Sequence, residues 1–119
     1  MSTILLVEDD GAVRRVLEEH LVDTGYQVIA VPDTTTALQA LAGSPRVDLL
    51  VADLVMPTGH SNGLAFAAAV QAEQPGIPVI FITGYYGFVA RSGEMPGAVL
   101  YKPVDLETLS REISARLNV

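Results

Sequence analysis

The amino-acid sequence predicts a doubly wound α/β domain, in which a five-stranded parallel sheet of order 2-1-3-4-5 carries helices on both faces. Five short apolar segments alternate with segments of helical periodicity, and this alternation is typical of βαβ units. Right-handed crossovers leave few topologies, and this strand order is the natural one for 119 residues. Ligands of such sheets bind beyond the carboxyl ends of strands 1 and 3, where the winding reverses. We expect residues 1–119 to form one domain.

The first half of the chain predicts three strands and two helices. The strands are short apolar runs, placed at 3–7, 27–31 and 49–52. Apolar residues at helical spacing predict the first helix, and Gly25 is a plausible stop for it. Asp33 or Thr34 can cap the second helix. The basic residues of the first helix are expected on its solvated face, with kinase contact as a second reading for the two arginines: Arg14, Arg15 and His20.

The second half predicts two further strands, at 78–82 and 98–101, and an alanine-rich helix at 64–74 whose buried face is ambiguous. The segment 85–96 is the least regular and would hold a short or irregular fourth helix near 87–91. It is rich in glycine, and each glycine weakens a helix by roughly 1 kcal/mol relative to alanine. Asp105 can cap a last amphipathic helix.

Composition and charge exclude several classes of function. Cysteine is absent, which excludes disulfides and thiolate metal sites. The net charge of -7 argues against direct binding to nucleic acid, which needs a clustered positive surface, but is compatible with a bound cation or a basic protein partner. No early apolar run is long enough for a signal peptide or a membrane span, so a cytoplasmic location is the default expectation.

Polar residues stand at the carboxyl ends of four predicted strands, which a parallel sheet brings to one edge. They are Glu8, Asp9 and Asp10 after strand 1, Asp53 after strand 3, Thr83 after strand 4 and Lys102 after strand 5. Clustered carboxylates repel unless a cation lies among them, and hard oxygen ligands suit Mg²⁺. An aspartate can act as a nucleophile and form an aspartyl phosphate, while a metal ion and a lysine neutralise phosphoryl oxygens. Taken alone, the three acids of the first loop could instead complement the dipole of the helix that follows.

Four motifs at these strand ends resemble those of response-regulator receiver domains, the CheY-like family of two-component signalling with a flavodoxin-like fold. The motifs are LLVEDD at 5–10, DLVMP at 53–57, ITG at 82–84 and KP at 102–103. Each motif is weak alone, but four in this order and at strand ends are specific. The resemblance covers essentially the whole chain.

The resemblance implies a Mg²⁺ site and a phosphoacceptor. Asp53 matches the phosphorylated aspartate and also contributes to the metal site. Asp9 matches a direct Mg²⁺ ligand, whereas Glu8 would act more through water. The backbone carbonyl of Val55 matches the third protein ligand.

The resemblance also implies a switch and partners. Thr83 matches the switch hydroxyl, and Lys102 matches the lysine that contacts the phosphate. The donor would be a phosphohistidine on a histidine kinase or phosphotransfer protein. The output would be a downstream protein target or a fused kinase, without direct contact to nucleic acid or membrane, and a homodimer is compatible with the family. The domain would remove its own phosphate, as a signalling domain rather than a turnover enzyme.

Three features depart from the family pattern. The family usually has an aromatic residue three positions before the lysine, where this chain has Val99; Tyr101 lies on the same strand face and is a candidate replacement. The loop 57–63 is about two residues longer than usual for the family, which would alter metal access or kinase docking. The stretch 83–102 is a few residues shorter, which predicts an unusual mode of partner binding.

Other functional classes remain open at this point. One is a Mg²⁺-dependent phosphatase with an aspartate nucleophile, although such enzymes commonly carry a second acid where this chain has Val55. The other is a phosphorylation-independent interaction module of the same fold, which Val99 and the shortened segment favour mildly. A flavin-binding version is disfavoured because the acidic first loop would repel the cofactor's phosphate. We expect no output domain within these 119 residues, so the resemblance implies a stand-alone regulator or a receiver of a hybrid kinase or larger regulator.

Overall fold

The computed structural model describes residues 2–43, 46–53, 63–84 and 97–117. Its five strands are β1 (Thr3–Val7), β2 (Gln27–Val31), β3 (Leu49–Asp53), β4 (Val79–Thr83) and β5 (Ala98–Tyr101). The helices within these ranges are α1 (Gly11–Asp23), α2 (Thr34–Gly43), α3 (Gly63–Glu73) and α4 (Leu106–Leu117). No helix in the described ranges is long and apolar enough to cross a bilayer.

The strands form one parallel sheet in the order β2-β1-β3-β4-β5, which confirms the predicted topology. Strand β1 is an interior strand and pairs with β2 on one side and β3 on the other. The chain therefore winds outward in both directions from β1 and β3. The carboxyl ends of these two strands flank the crevice where a doubly wound sheet binds its ligands.

Helices cover both faces of the sheet, as predicted, and each face has its own apolar core. One core joins alternate strand residues to α2 and α3, through Ala37, Phe66, Ala67 and Val70. The other joins the remaining strand residues to α1 and α4, through Leu17, Leu21, Leu109 and Ile113. Strands β3 and β4 are buried along their whole length, which explains why they read as continuous apolar runs.

Three strand boundaries, one in β3 and two in β4, differ by one residue from the prediction. Strand β3 extends through Asp53, because this residue remains in register with Ile82 of β4. Strand β4 begins after Pro78, which has no N–H to donate, and includes Thr83. Asp53 and Thr83, which were predicted to follow their strands, are therefore the last residues of β3 and β4.

The helix ends follow the predicted residues. Gly25 has a φ of 104°, and its N–H donates to the carbonyl of Val22, so it stops α1 as expected. Asp33 rather than Thr34 caps α2, because Asp33 Oδ1 accepts a hydrogen bond from the N–H of Thr36 at 2.7 Å. The carbonyl of Asp105 accepts the N–H of Leu109 at the start of α4.

Packing resolves the ambiguous face of α3 and corrects one prediction. Phe66, Ala67 and Val70 are the buried residues, and they form one face of this helix. The prediction of a solvated His20 was wrong, since this residue is half-buried and its Nε2 lies 2.7 Å from Ser110 Oγ of α4. The predicted short helix at 87–91 and the loop 57–62 lie outside the described residues.

Candidate functional site

Strand alternation places three of the predicted site residues on one face of the sheet. Glu8, Asp53 and Lys102 each continue the set of alternate residues that faces α1 and α4. Those sets are residues 4, 6 and 8 from β1; 49, 51 and 53 in β3; and 98, 100 and 102 from β5. The two-residue alternation of side chains along each strand therefore places both the core residues and these three polar residues on the same face, so that the polar ones meet at the carboxyl edge.

The Lys102 ammonium group joins the two buried carboxylates. Lys102 Nζ lies 2.8 Å from Glu8 Oε1 and 2.9 Å from Asp53 Oδ2. Glu8 is fully buried and Asp53 is 3% exposed. Buried charges are tolerated when they are paired, and Lys102 is a counter-ion shared by both carboxylates.

One lysine does not balance the acids gathered at this edge. Carboxylate oxygens of Glu8, Asp9 and Asp53 lie within 4.8 Å of one another. Within the described part of the chain, Glu8 Oε1 has no hydrogen-bond partner besides its ion pair with Lys102. A buried carboxylate oxygen in this condition calls for a further positive partner. Three oxygen donors at this spacing fit a hard divalent cation such as Mg²⁺.

Burial shifts the protonation of both charged partners. Loss of solvation raises the pKa of Glu8 to about 7, and the Asp53 charge adds to this rise, while Lys102 and the Asp10 N–H oppose it. Burial alone would lower the pKa of Lys102, but the hydrogen bonds that its ammonium group donates to Glu8 and Asp53 hold it above its ordinary value. Near neutral pH and without a metal ion, the raised pKa of Glu8 therefore implies a partly protonated carboxyl beside a charged Lys102.

The acids of the first loop divide into two roles. Asp10 is exposed, and its Oδ1 accepts hydrogen bonds from the N–H groups of Ala12 at 2.9 Å and Val13 at 3.1 Å, which makes it the N-cap of α1. The Asp10 N–H donates to Glu8 Oε2 at 3.0 Å. The alternative that a first-loop acid serves the start of the following helix therefore holds for Asp10, whereas Glu8 and Asp9 belong to the acid cluster.

Thr83 lies at the same edge but on the other face of the sheet. It is fully buried and shares the parity of residues 79 and 81, which pack against α2 and α3. Its carbonyl accepts the N–H of Lys102 at 2.8 Å, and its Cα is the register partner of Tyr101. Val99 packs against the same core. Val55, the predicted carbonyl ligand, lies outside the described residues.

Sequence reasoning missed the contact made by Arg14. This residue was expected on a solvated helix face, but it is half-buried and its Nη1 donates to the backbone carbonyl of Glu8 at 2.9 Å. The sequence signal was its place in the first turn of α1, directly after the acidic loop. Helical periodicity alone does not show that a first-turn side chain folds back over the loop.

A protein-family model described as "Response regulator receiver domain" matches residues 4–114. The chain belongs to this family. Receiver domains act in two-component systems, where response regulators interact with histidine kinases or phosphotransfer proteins. The family generally binds Mg²⁺ at an acidic pocket, and the acid cluster of this receiver domain fits such an ion.

Curated relatives differ in how much of their length the receiver domain covers. It is 33% identical to the response regulator receiver protein CpdR of Brucella abortus, over 98% of both chains. It is 32% identical to the transcriptional regulatory protein GlrR of Escherichia coli, over 96% of this chain. That match covers 26% of GlrR, so the chain spans about a quarter of that relative.

Solved structures share the fold along nearly the whole receiver domain. A response regulator receiver protein from Sinorhizobium medicae has a TM-score of 0.87 at 27% identity, covering 99% of this chain and 95% of that one. The receiver domain of the hybrid histidine kinase CckA has a TM-score of 0.81 at 32% identity, covering 98% and 99%.

Proposed function

We propose that residues 1–119 form a single receiver that accepts a phosphoryl group on Asp53 with Mg²⁺ and thereby switches a protein-binding surface. The observation that carries this proposal is the placement of Lys102 Nζ between the buried carboxylates of Glu8 and Asp53. The third acid, Asp9, completes a donor set next to the same ammonium group. A nucleophile, a cation and a metal-binding set thus meet at one edge of the sheet.

In the proposed transfer, a carboxylate oxygen of Asp53 attacks the phosphorus atom of a phosphohistidine. The new P–O bond forms as the P–N bond breaks, and the imidazole of the donor leaves with the electron pair. Lys102 Nζ, already 2.9 Å from Asp53 Oδ2, would follow the charge onto the phosphoryl oxygens. When bound, Mg²⁺ would neutralise charge on those oxygens and align the reacting groups.

The residues that would hold the ion are Glu8, Asp9 and Asp53, with the carbonyl of Val55 as a further proposed ligand. Glu8 is the buried acid whose raised pKa would fall on binding, because a cation favours the ionised carboxylate. In the proposed hydrolysis, water attacks the phosphorus atom, the P–O bond to Asp53 breaks, and inorganic phosphate leaves as the Asp53 carboxylate is regenerated. Such self-hydrolysis would limit the lifetime of the phosphorylated state, as suits a signalling domain rather than a turnover enzyme.

The proposed switch acts through Thr83. Phosphorylation adds about -1.5 to -2 charge at Asp53. The Thr83 hydroxyl would donate a hydrogen bond to that charge, which changes the packing on the face that holds Tyr101. The donor is proposed to be a histidine kinase or phosphotransfer protein, and the output a downstream protein or a fused kinase.

Intact-mass spectrometry after incubation with acetyl phosphate and Mg²⁺ tests the proposal. We expect one phosphoryl adduct that requires Mg²⁺ and is absent from Asp53→Asn. The matched control is Asp23→Asn, which removes one carboxylate at the exposed end of α1 and should keep the adduct.

A time course of phosphate release distinguishes the alternatives. Release with a transient adduct would indicate rapid self-hydrolysis. Absence of both adduct and release, with Mg²⁺ still bound, would contradict phosphoacceptor function and favour a phosphorylation-independent interaction module. Sustained turnover of a phosphomonoester, which is not an acyl phosphate, would favour the phosphatase alternative.

A further inference from the structure

The peptide unit between Glu8 and Asp9 is held at its oxygen by a charged side chain from α1. Arg14 Nη1 donates to the carbonyl of Glu8 at 2.9 Å, in a half-buried contact that spans six positions of the chain. A peptide unit is planar, so a hydrogen bond to its oxygen restrains the direction in which the next residue starts. The next residue is Asp9, a member of the acid cluster.

Other contacts tie the remaining groups of this loop. The N–H of Glu8 donates to the carbonyl of Val31 in β2 at 3.1 Å. The Glu8 carboxylate meets Lys102 and accepts the Asp10 N–H. Arg14 supplies a side-chain contact to the Glu8 carbonyl, which belongs to the peptide unit that joins Glu8 to Asp9.

The approach of Arg14 to the loop is close. Its Nη2 lies 3.7 Å from the position that a Cβ on Gly11 would occupy, so the guanidinium group lies against the first residue of α1. The N–H of Arg14 also donates to the Asp10 carbonyl at 2.8 Å, in the first turn of the helix. Both ends of the Arg14 residue are thus bound to the loop that carries the acids.

We propose that Arg14 is a positioning residue for the divalent-cation site, acting through the Glu8–Asp9 peptide unit rather than by touching the ion. The inference rests on the proposed function, which supplies the ion. The charge of Arg14 and its hydrogen bond have opposite effects on cation binding. A guanidinium group near the site repels Mg²⁺, whereas its hydrogen bond orients the ligands.

This opposition makes Arg14→Met a decisive variant. Removal of the charge alone predicts tighter binding of Mg²⁺. Removal of the restraint predicts weaker binding, by roughly 10-fold, which is the lower range for loss of a group that orients metal ligands. Arg15→Met is the matched control, because it removes the same charge from the neighbouring, exposed residue and should leave Mg²⁺ affinity equal or slightly higher. Arg14→Lys retains the charge and one donor and should recover part of the affinity.

Mg²⁺ affinity is measured by calorimetric titration of the full chain without any phosphodonor, after circular dichroism shows that each variant is folded. Amide hydrogen exchange at Asp10, whose N–H donates to Glu8, is a second readout and should be faster in Arg14→Met. Affinity in Arg14→Met equal to or higher than in Arg15→Met would overturn this inference alone. A wild-type chain that binds no Mg²⁺ would overturn the metal site of the proposed function together with this inference. Normal Mg²⁺ binding without an Asp53 adduct would count against the proposed function only.

Discussion

Lys102 Nζ lies 2.9 Å from Asp53 Oδ2, and the two residues are 49 positions apart in the chain. The parallel pairing of β3 with β4 and of β4 with β5 brings them to the same edge. The same ammonium group meets Glu8, which is fully buried. Loss of the Lys102 side chain should therefore lower the free energy of unfolding of the metal-free domain more than loss of a surface ion pair would.

We expect Lys102→Met to destabilise the metal-free domain by about 2 kcal/mol at pH 8, because it removes the counter-ion that two buried carboxylates share. Millimolar Mg²⁺ should restore part of that loss. Arg46→Met is the control, since it breaks a pair with Asp48 in which the arginine side chain is 86% exposed, and should cost no more than about 0.5 kcal/mol. Urea denaturation of each variant, once in EDTA and once in Mg²⁺, measures these changes in the free energy of unfolding. Equal losses in the two variants would show that the Lys102 pairs contribute no more than a surface pair.

The raised pKa of Glu8 predicts a pH dependence of stability in EDTA. The native state binds a proton on Glu8 more tightly than the unfolded chain, whose value is near 4.5. The stabilisation from this proton is complete below about pH 4.5 and is lost as pH rises to about 7.

Glu8→Gln should therefore flatten this part of the profile, as measured by urea denaturation between pH 4.5 and 8. Asp105→Asn is the control, because the Thr108 hydroxyl holds the pKa of Asp105 below its usual value of 3.8. The stability that Asp105 contributes is lost only below the measured range, so this variant should keep the slope of the wild type. A wild-type profile that matches Glu8→Gln across this range would contradict a raised pKa of Glu8.

The different roles of Asp9 and Asp10 can be separated by two alanine variants. Asp10→Ala removes the α1 cap and should lower the free energy of unfolding by about 1 kcal/mol, with little effect on Mg²⁺ affinity. Asp9→Ala should lower Mg²⁺ affinity by at least roughly 10-fold, because even groups that only orient ligands contribute that much. The stability of Asp9→Ala in EDTA should be equal to that of the wild type or slightly higher, since the variant relieves repulsion among the three carboxylates. Calorimetric titration measures the Mg²⁺ affinity of both variants, and urea denaturation measures their stability. If Asp10→Ala lost affinity and Asp9→Ala lost stability, the roles of helix cap and metal ligand would have to be exchanged.

Gly97, just before β5, is a position where no side chain fits. A Cβ there would collide with the backbone carbonyl group of Val79 in β4. Gly97→Ala should therefore destabilise the domain by roughly 1 to 3 kcal/mol, the range for overpacking. Gly43→Ala, at the end of α2, meets nothing within 4 Å and should be neutral or mildly stabilising. Thermal denaturation of the two variants tests the contrast, and an unchanged midpoint for Gly97→Ala would mean that β5 can move away from β4 without loss.

Tyr101 is expected to respond to phosphorylation in place of the missing aromatic residue at Val99. Its Cα pairs with that of Thr83, so the two side chains leave the sheet on one face. The ring signal of Tyr101 in NMR spectra should shift on addition of acetyl phosphate and Mg²⁺, with Tyr101→Phe for assignment. Tyr26, which packs in the opposite core, is the internal control and should keep its shift. An unchanged Tyr101 signal in a chain shown to be phosphorylated would place the response elsewhere.

Much of the fold could be predicted because it follows from local patterns. The order of apolar strands and helical periodicity predicted the sheet order, and residues such as Gly25 and Asp33 predicted helix ends. The face of α3 could not be predicted, because Phe66, Ala67 and Val70 are selected by the sheet beneath them rather than by the helix pattern. His20 was assigned to solvent for a similar reason, since its partner Ser110 lies 90 positions away.

The sequence by itself determined the fold class, the edge at which polar residues gather, and the candidate set of Glu8, Asp9, Asp53, Thr83 and Lys102. It could do so because the period of two and the ends of strands are one-dimensional properties of the chain. Only the tertiary structure decided which first-loop acid caps α1, which carboxylates share Lys102, and that Arg14 binds the Glu8 carbonyl. Those outcomes depend on the direction of each side chain and on distances of about 3 Å between groups. The charge and sequence position of the residues do not distinguish between them.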